Sequence, residues 1–232
     1  MGRRIWTLAF LVACVSGLDA TAQVYVPQVP MDVPVLVVKY FPVKGDRIDQ
    51  SVTGDWGATL AETRQKTEGQ TKEVIAALQE GSRYHGYKDQ DAKPSLLYKI
   101  VGTLEFLEPL PTVARIGDRV PMTDYNKIME RIGIREWVEK KGVKEVWLWG
   151  YHGGVLDLWE SNMSGPFGDI SNSNRDPKDL PLLDKTYTVY HYNYQRGSSE
   201  AVEDHMHQIE AVLNAVDGRD RTSPDQWDEF LF

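Results

Sequence analysis

Apolar and polar positions along this chain follow two different periods in turn. Val35 to Phe41 form an unbroken β-branched and aromatic run, the pattern of a strand buried on both faces. Residues 58–79 then suit a helix, with Val74, Ile75 and Leu78 facing inward and Thr71, Lys72 and Glu73 facing water. Gly69 weakens the middle of that helix. Residues 95–107 form a second strand, in which Leu96, Tyr98 and Ile100 alternate with Leu97, Lys99 and Val101. Pro109 and Pro111 end it, because proline cannot donate to a ladder.

A second helix starts at a cap on Thr123 or Asp124, carries Ile128, Ile132, Trp137 and Val138 on its apolar side, breaks near Gly133 and stops at Gly142. Residues 143–151 form a third strand, with Trp147 and Trp149 on one face and Val146 and Leu148 on the other. A polar, turn-rich stretch follows as far as Asp184, and residues 185–194 form the fourth strand. The last helix covers residues 198–216, with Ser198 or Ser199 as its cap and Val202, Met206, Ile209, Leu213 and Val216 as its core stripe.

This order predicts an α/β fold, a mainly parallel sheet with flanking helices, built either as three layers or as a partial barrel. In such sheets the segments leaving the carboxyl ends of the strands gather at one edge, where ligands bind. Here those segments are residues 42–57, 108–123, 151–184 and 195–197.

The ends of the chain read differently from its body. Residues 1–22 have the shape of a secretory signal: Arg3 and Arg4, an apolar run from Ile5 to Val15, then Ala20-Thr21-Ala22 as a cleavage site. The expected protein is secreted or periplasmic, without a membrane span in its mature form. Leu11-Val12-Ala13-Cys14 offers the alternative of a lipid anchor on Cys14. Residues 23–33 form a proline-interrupted extended arm, and residues 34–232 a single α/β domain. The apolar finish from Trp227 to Phe232 either docks on the body or marks a longer protein cut short.

Composition narrows the partners. Hydrophobic residues make up 41% and charged residues 26%, the usage of a packed globule. Lys and Arg total 26 against 34 for Asp and Glu, a formal net charge of -8, which disfavours nucleic acid as a partner. Cys14 is the only cysteine, so cleavage after Ala22 leaves no disulfide, thiol nucleophile or cysteine-ligated metal. The chain contains no Gly-x-Ser-x-Gly elbow, no P-loop and no Gly-x-Gly-x-x-Gly turn, which leaves serine-hydrolase and nucleotide chemistry unsupported.

Candidate chemistry concentrates between Tyr151 and Asp184. Glu160 with Asp157 or Asp169 offers paired carboxylates for acid and base, or acid and nucleophile, with Trp159 beside them as an apolar wall. His152, His191 and His205 are candidates to join them. Asn172, Asn174 and Asp176 place oxygens at alternate positions in the style of a calcium loop. His205 and His207 lie roughly 200° apart around a helix and cannot grip one ion together. Another divalent ion would need Glu210 or His205 joined to His152, His191 or a loop carboxylate. Glu203, His207 and Glu210 share a face and suit surface ion pairs.

The row Tyr190, Tyr192 and Tyr194, with the tryptophans, could stack sugar rings. The expectation is therefore a hydrolase acting on an extracellular glycan or, second, a peptide. The rival is a non-catalytic binding protein with a Tyr/Trp-rich face.

Overall fold

A computed structural model describes residues 29–83, 89–115, 117–166, 170–171 and 179–217. The segment read as a signal, with Cys14, and the apolar finish lie outside the described residues. In chain order the strands are β1 (Met31–Tyr40), β2 (Val43–Lys44), β3 (Arg47–Ile48), β4 (Leu96–Phe106), β5 (Thr112–Val113), β6 (Met122–Thr123), β7 (Glu145–Gly150), β8 (Ser161–Ser164), β9 (Ile170–Ser171) and β10 (Tyr187–Asn193). The helices are α1 (Gln50–Thr53), α2 (Leu60–Gly81), α3 (Tyr125–Ile132) and α4 (Ser198–Asp217), with a π-helical turn at Glu136–Lys140.

Six strands form one mixed, mostly parallel sheet in the order β4-β1-β7-β10-β8-β9. The pairs β1–β4, β1–β7 and β7–β10 are parallel; β10–β8 and β8–β9 are antiparallel. The four predicted strands are the parallel ones. The sequence reading missed β8 and β9, which are short and polar and lie inside the expected loop. Strand β1 also begins earlier than the expected arm boundary, at Met31, whose amide bonds the Ser95 carbonyl at 2.8 Å.

The central strands are buried on both faces because their side chains are apolar on both. Val35, Leu36, Val38, Val146, Trp147, Leu148 and Trp149 are all fully inaccessible. Each such side chain contributes roughly 1.5–3 kcal/mol on burial. Register places Val37, Trp147 and Tyr190 side by side on one face, and Val38, Leu148 and His191 on the other. Helices α2 and α4 pack against each other, and α4 also packs on β10. From the opposite side, Tyr125 of α3 reaches His191, and Trp137 sits over Gly102 and Leu36.

Local signals explain the helix limits. Thr59 and Glu62 make a reciprocal capping box at the start of α2. The Asp124 carboxylate accepts the Lys127 amide at 3.1 Å, and Gly133 ends α3 in the left-handed region at φ 63°. One face was misread in α2: Thr71 is buried, and its hydroxyl turns back to the Thr67 carbonyl at 2.6 Å, which frees it from water.

The register between β1 and β4 slips once. Val35 pairs with Ile100 and Leu36 with Gly102, leaving Val101 as the extra residue of a bulge on the outermost strand.

Candidate functional site

The carboxyl ends of β7 and β10 open into a cleft of about 1520 Å³. Its described lining comes from the segments after β3, β7 and β10, from the end of β10, from the approach to β8, from β9 and from α4. Three of the four predicted edge segments contribute; residues 108–123 do not.

Strand β7 delivers the first wall. It runs into Tyr151-His152-Gly153-Gly154, and Gly153 and Gly154 hold positive φ of 49° and 72°. A Cβ on Gly153 would strike the Thr53 carbonyl, and one on Gly54 would strike Gly153, so these two turns meet backbone to backbone. Gln195 ties them together. Its Oε1 accepts the His152 amide at 2.8 Å, and its Nε2 donates to the Thr53 carbonyl at 3.0 Å and to the Asp55 carboxylate. The side-chain amide of one residue thus joins three loops, and the sequence carried no signal for it.

His191 forms the floor. It is 1% exposed, and burial drives its imidazole down to a pKa of about 3, with His152 adding a smaller push in the same direction. Nδ1 lies 3.0 Å from the Tyr125 hydroxyl, which also accepts the Trp159 amide at 2.7 Å. His191 Nε2 is buried without a hydrogen-bond partner among the described residues.

The opposite wall is α4, and here the structure corrects the expected core stripe. Ala201, Asp204, His205 and Gln208 are buried, whereas Met206 and Ile209 are 42% and 50% exposed. The reason lies in the strand beneath. His205 stacks on Tyr190 with ring centroids 3.7 Å apart, and its Nε2 bonds the Tyr192 hydroxyl at 2.6 Å. The buried Tyr192 hydroxyl asks for a polar partner, and α4 supplies it in His205. His205 is therefore a core residue, lowered to about 3 by burial, and it does not line the cleft.

Its neighbour two residues on behaves in the opposite way. His207 Nδ1 meets Glu160 Oε2 at 2.8 Å, and this bond raises the imidazole above its ordinary pKa. His207 Nε2 also lies 3.8 Å from Glu203, as the shared helix face led us to expect. The pair anchors α4 to the start of β8 and fixes the Glu160 carboxylate at the cleft wall.

Asp204 was not anticipated, because a carboxyl between Glu203 and His205 reads as surface helix. It is 7% exposed, lines the cleft and makes no hydrogen bond or ion pair among the described residues. Burial first, then the charges of Glu160 and Glu203, push its carboxyl up to about 8. Asp204 is thus neutral at pH 7 and stands near Glu160.

The other sequence candidates divide. His152, Asp157, Glu160, His191 and Glu210 all line the cleft; Asp157 is exposed and its Oδ1 accepts the Leu158 amide. Asp169, Asn172, Asn174 and Asp176 lie outside the described residues. No group of three or more His, Cys, Asp or Glu side chains placed to hold a metal occurs among the described residues. The mixed divalent site suggested for His205 is corrected: that ring is turned into the core and occupied by Tyr192. The tyrosine and tryptophan rings offered as a binding platform are buried too: Tyr190 is 5% exposed, Tyr192 1%, Trp159 2%, and Tyr194, Trp147 and Trp149 wholly inaccessible.

A smaller cavity of about 260 Å³ opens at the amino edge of the sheet, between Val33, Tyr98, Glu145 and Tyr187. Glu145 accepts the Trp147 indole N–H at 2.8 Å, and burial raises its carboxyl to about 7. No helix of the described residues is long and apolar enough to cross a membrane. Compared with known protein families, curated proteins and solved structures, the chain matches none.

Proposed function

We propose that this chain is a secreted hydrolase of glycans, with Asp204 as general acid and Glu160 as the base that activates water. The observation that carries the reading is the pairing of a buried carboxyl raised to about 8 with a second carboxyl held by His207 in one cleft. Two carboxyls in unlike surroundings, one of them raised by burial, divide the acid and base roles. Asp204 gives its proton to the leaving oxygen as the glycosidic C–O bond breaks. Glu160 takes a proton from the water that attacks the ring carbon. His191 offers a neutral ring nitrogen at the floor for a substrate hydroxyl, and Gln195 holds His152 in position. The same reading takes the helices on the two sheet faces as a three-layer architecture, with the secretory start bringing the protein to its substrate.

The test compares wild type with Asp204→Asn and Glu160→Gln on a panel of polysaccharides and peptides. Each variant should lose about 10²–10⁴-fold in turnover. The wild-type kcat/KM should fall on the alkaline side as Asp204 loses its proton near pH 8. Undiminished turnover in both variants would remove the carboxyl pair from the mechanism, and cleavage of peptides alone would remove the glycan.

A further inference from the structure

We propose that the cleft selects a cationic glycan, an oligosaccharide bearing free amino groups, over neutral or acidic ones. The choice of a sugar rests on the hydrolase reading above; the choice of charge does not. Besides the neutral Asp204, five carboxyl side chains line the cleft among the described residues: Asp55, Asp157, Glu160, Glu200 and Glu210. Against them stand Arg196, which is paired with Glu200, and the imidazoles of His152 and His207, the latter engaged by Glu160. A concave surface of one sign focuses its field and concentrates ligands of the other sign.

Two further observations point to a ligand rather than to a merely acidic surface. Asp204 is 7% exposed and its carboxyl makes no hydrogen bond among the described residues, while His191 Nε2 is fully buried and unpaired among them. Both residues line this cleft. A ligand entering here can complete the bonding of the Asp204 carboxyl, which no protein group supplies among the described residues. A sugar supplies both needs: hydroxyls for the buried nitrogen and carboxyl, and ammonium groups for the rim carboxylates Asp157 and Glu210. The cleft volume of about 1520 Å³ exceeds the roughly 300–1,000 Å³ that suits a single drug-sized ligand, and fits an oligomer.

The experiment measures binding by calorimetry on Asp204→Asn, whose neutral amide keeps the shape while stopping turnover. Three oligosaccharides of equal length are compared at mildly acidic pH, where sugar amines are protonated: a β-1,4-glucosamine oligomer, its N-acetylated counterpart and an oligogalacturonate. The amino oligomer should bind roughly tenfold or more tighter than the other two at low salt. That advantage should collapse in about 1 M salt, where the screening length falls to ~3 Å. Adding Asp157→Asn and Glu210→Gln, both on exposed side chains, should cut the preference while leaving the N-acetylated oligomer unchanged. Equal binding of all three oligomers, a preference insensitive to salt, or tightest binding of the acidic oligomer would overturn the proposal. Oligolysine binding more tightly than the amino oligomer would overturn the sugar assignment. If wild type binds the amino oligomer in this pattern but cleaves none of the three, the hydrolase reading fails while the charge selection stands.

Discussion

The two ends of the central sheet each bury a carboxyl with a raised pKa, yet they are built for different ends. At the amino edge, Glu145 sits in a cavity of about 260 Å³ with its carboxylate bonded to the Trp147 indole. At the carboxyl edge, Asp204 sits in a cleft nearly six times larger, without a partner, beside Glu160 and His207. Burial alone does not make a site. What separates the two is the set of loops that the parallel topology sends to one edge only, and the backbone contact of Gly54 with Gly153 that brings those loops together.

The largest break in this comparison should come from Asp204→Asn. Loss of the acid is expected to reduce turnover on the order of 10³-fold, read from steady-state kinetics. The same change should stabilise the fold at pH 8. The folded pKa lies above the unfolded one, so the native state binds the extra proton, and stability falls as pH rises from about 4 to about 8. Asparagine removes that loss, and chemical denaturation at pH 8 should show a gain on the order of a few kcal/mol that vanishes at pH 4.

His205→Ala is expected to cost about 3 kcal/mol. It removes the ring stacked on Tyr190 and leaves the Tyr192 hydroxyl buried without its partner. Urea melts measure the loss, and it should shrink in acid. The neutral imidazole is depressed to about 3, so wild type itself loses stability as pH falls through the unfolded histidine range near 6.5.

Gln195→Ala unties three loops without touching either carboxyl, and about tenfold should be lost from kcat/KM. The shape of the pH profile should not move, because Asp204 keeps its surroundings. A shifted alkaline limb would show that Gln195 acts on the acid itself.

The smallest effect belongs to Glu145→Gln. Turnover should change less than twofold, since the residue is at the wrong edge, and stability at pH 8 should rise by about 1 kcal/mol as a buried charge is replaced by an amide. A turnover loss comparable to that of Asp204→Asn would erase the contrast between the two edges.

The strands and the position of the site were legible because both follow from strong local rules. Apolar runs such as Val35 to Phe41 admit one environment, and parallel topology decides which loops meet. The orientation of α4 was not legible. Its apolar residues Met206 and Ile209 form a regular stripe, yet they face outward, because the partner surface is a row of tyrosines in which Tyr190 stacks on His205 and the Tyr192 hydroxyl bonds it. The available signal was the strand Tyr190-His191-Tyr192, read as a demand on whatever packs over it. Asp204 was hidden for the same reason: once the helix is turned about its axis, a residue that reads as solvated faces the cleft. Glu160 was found from its neighbours in sequence, but its partner His207 comes from a contact 47 residues away.

The bulge at Val101 has a consequence for encounters between molecules. Strand β4 is the outer, parallel-paired edge of the sheet, long and carrying exposed Ile100 and Val101, the kind of border onto which another chain can add. One extra residue there throws any incoming strand out of phase halfway along, so a partner that matches the first half presents the wrong face to the second. A fold that leaves one long strand at the border of its sheet gains from such a device. It keeps an open sheet from becoming a template.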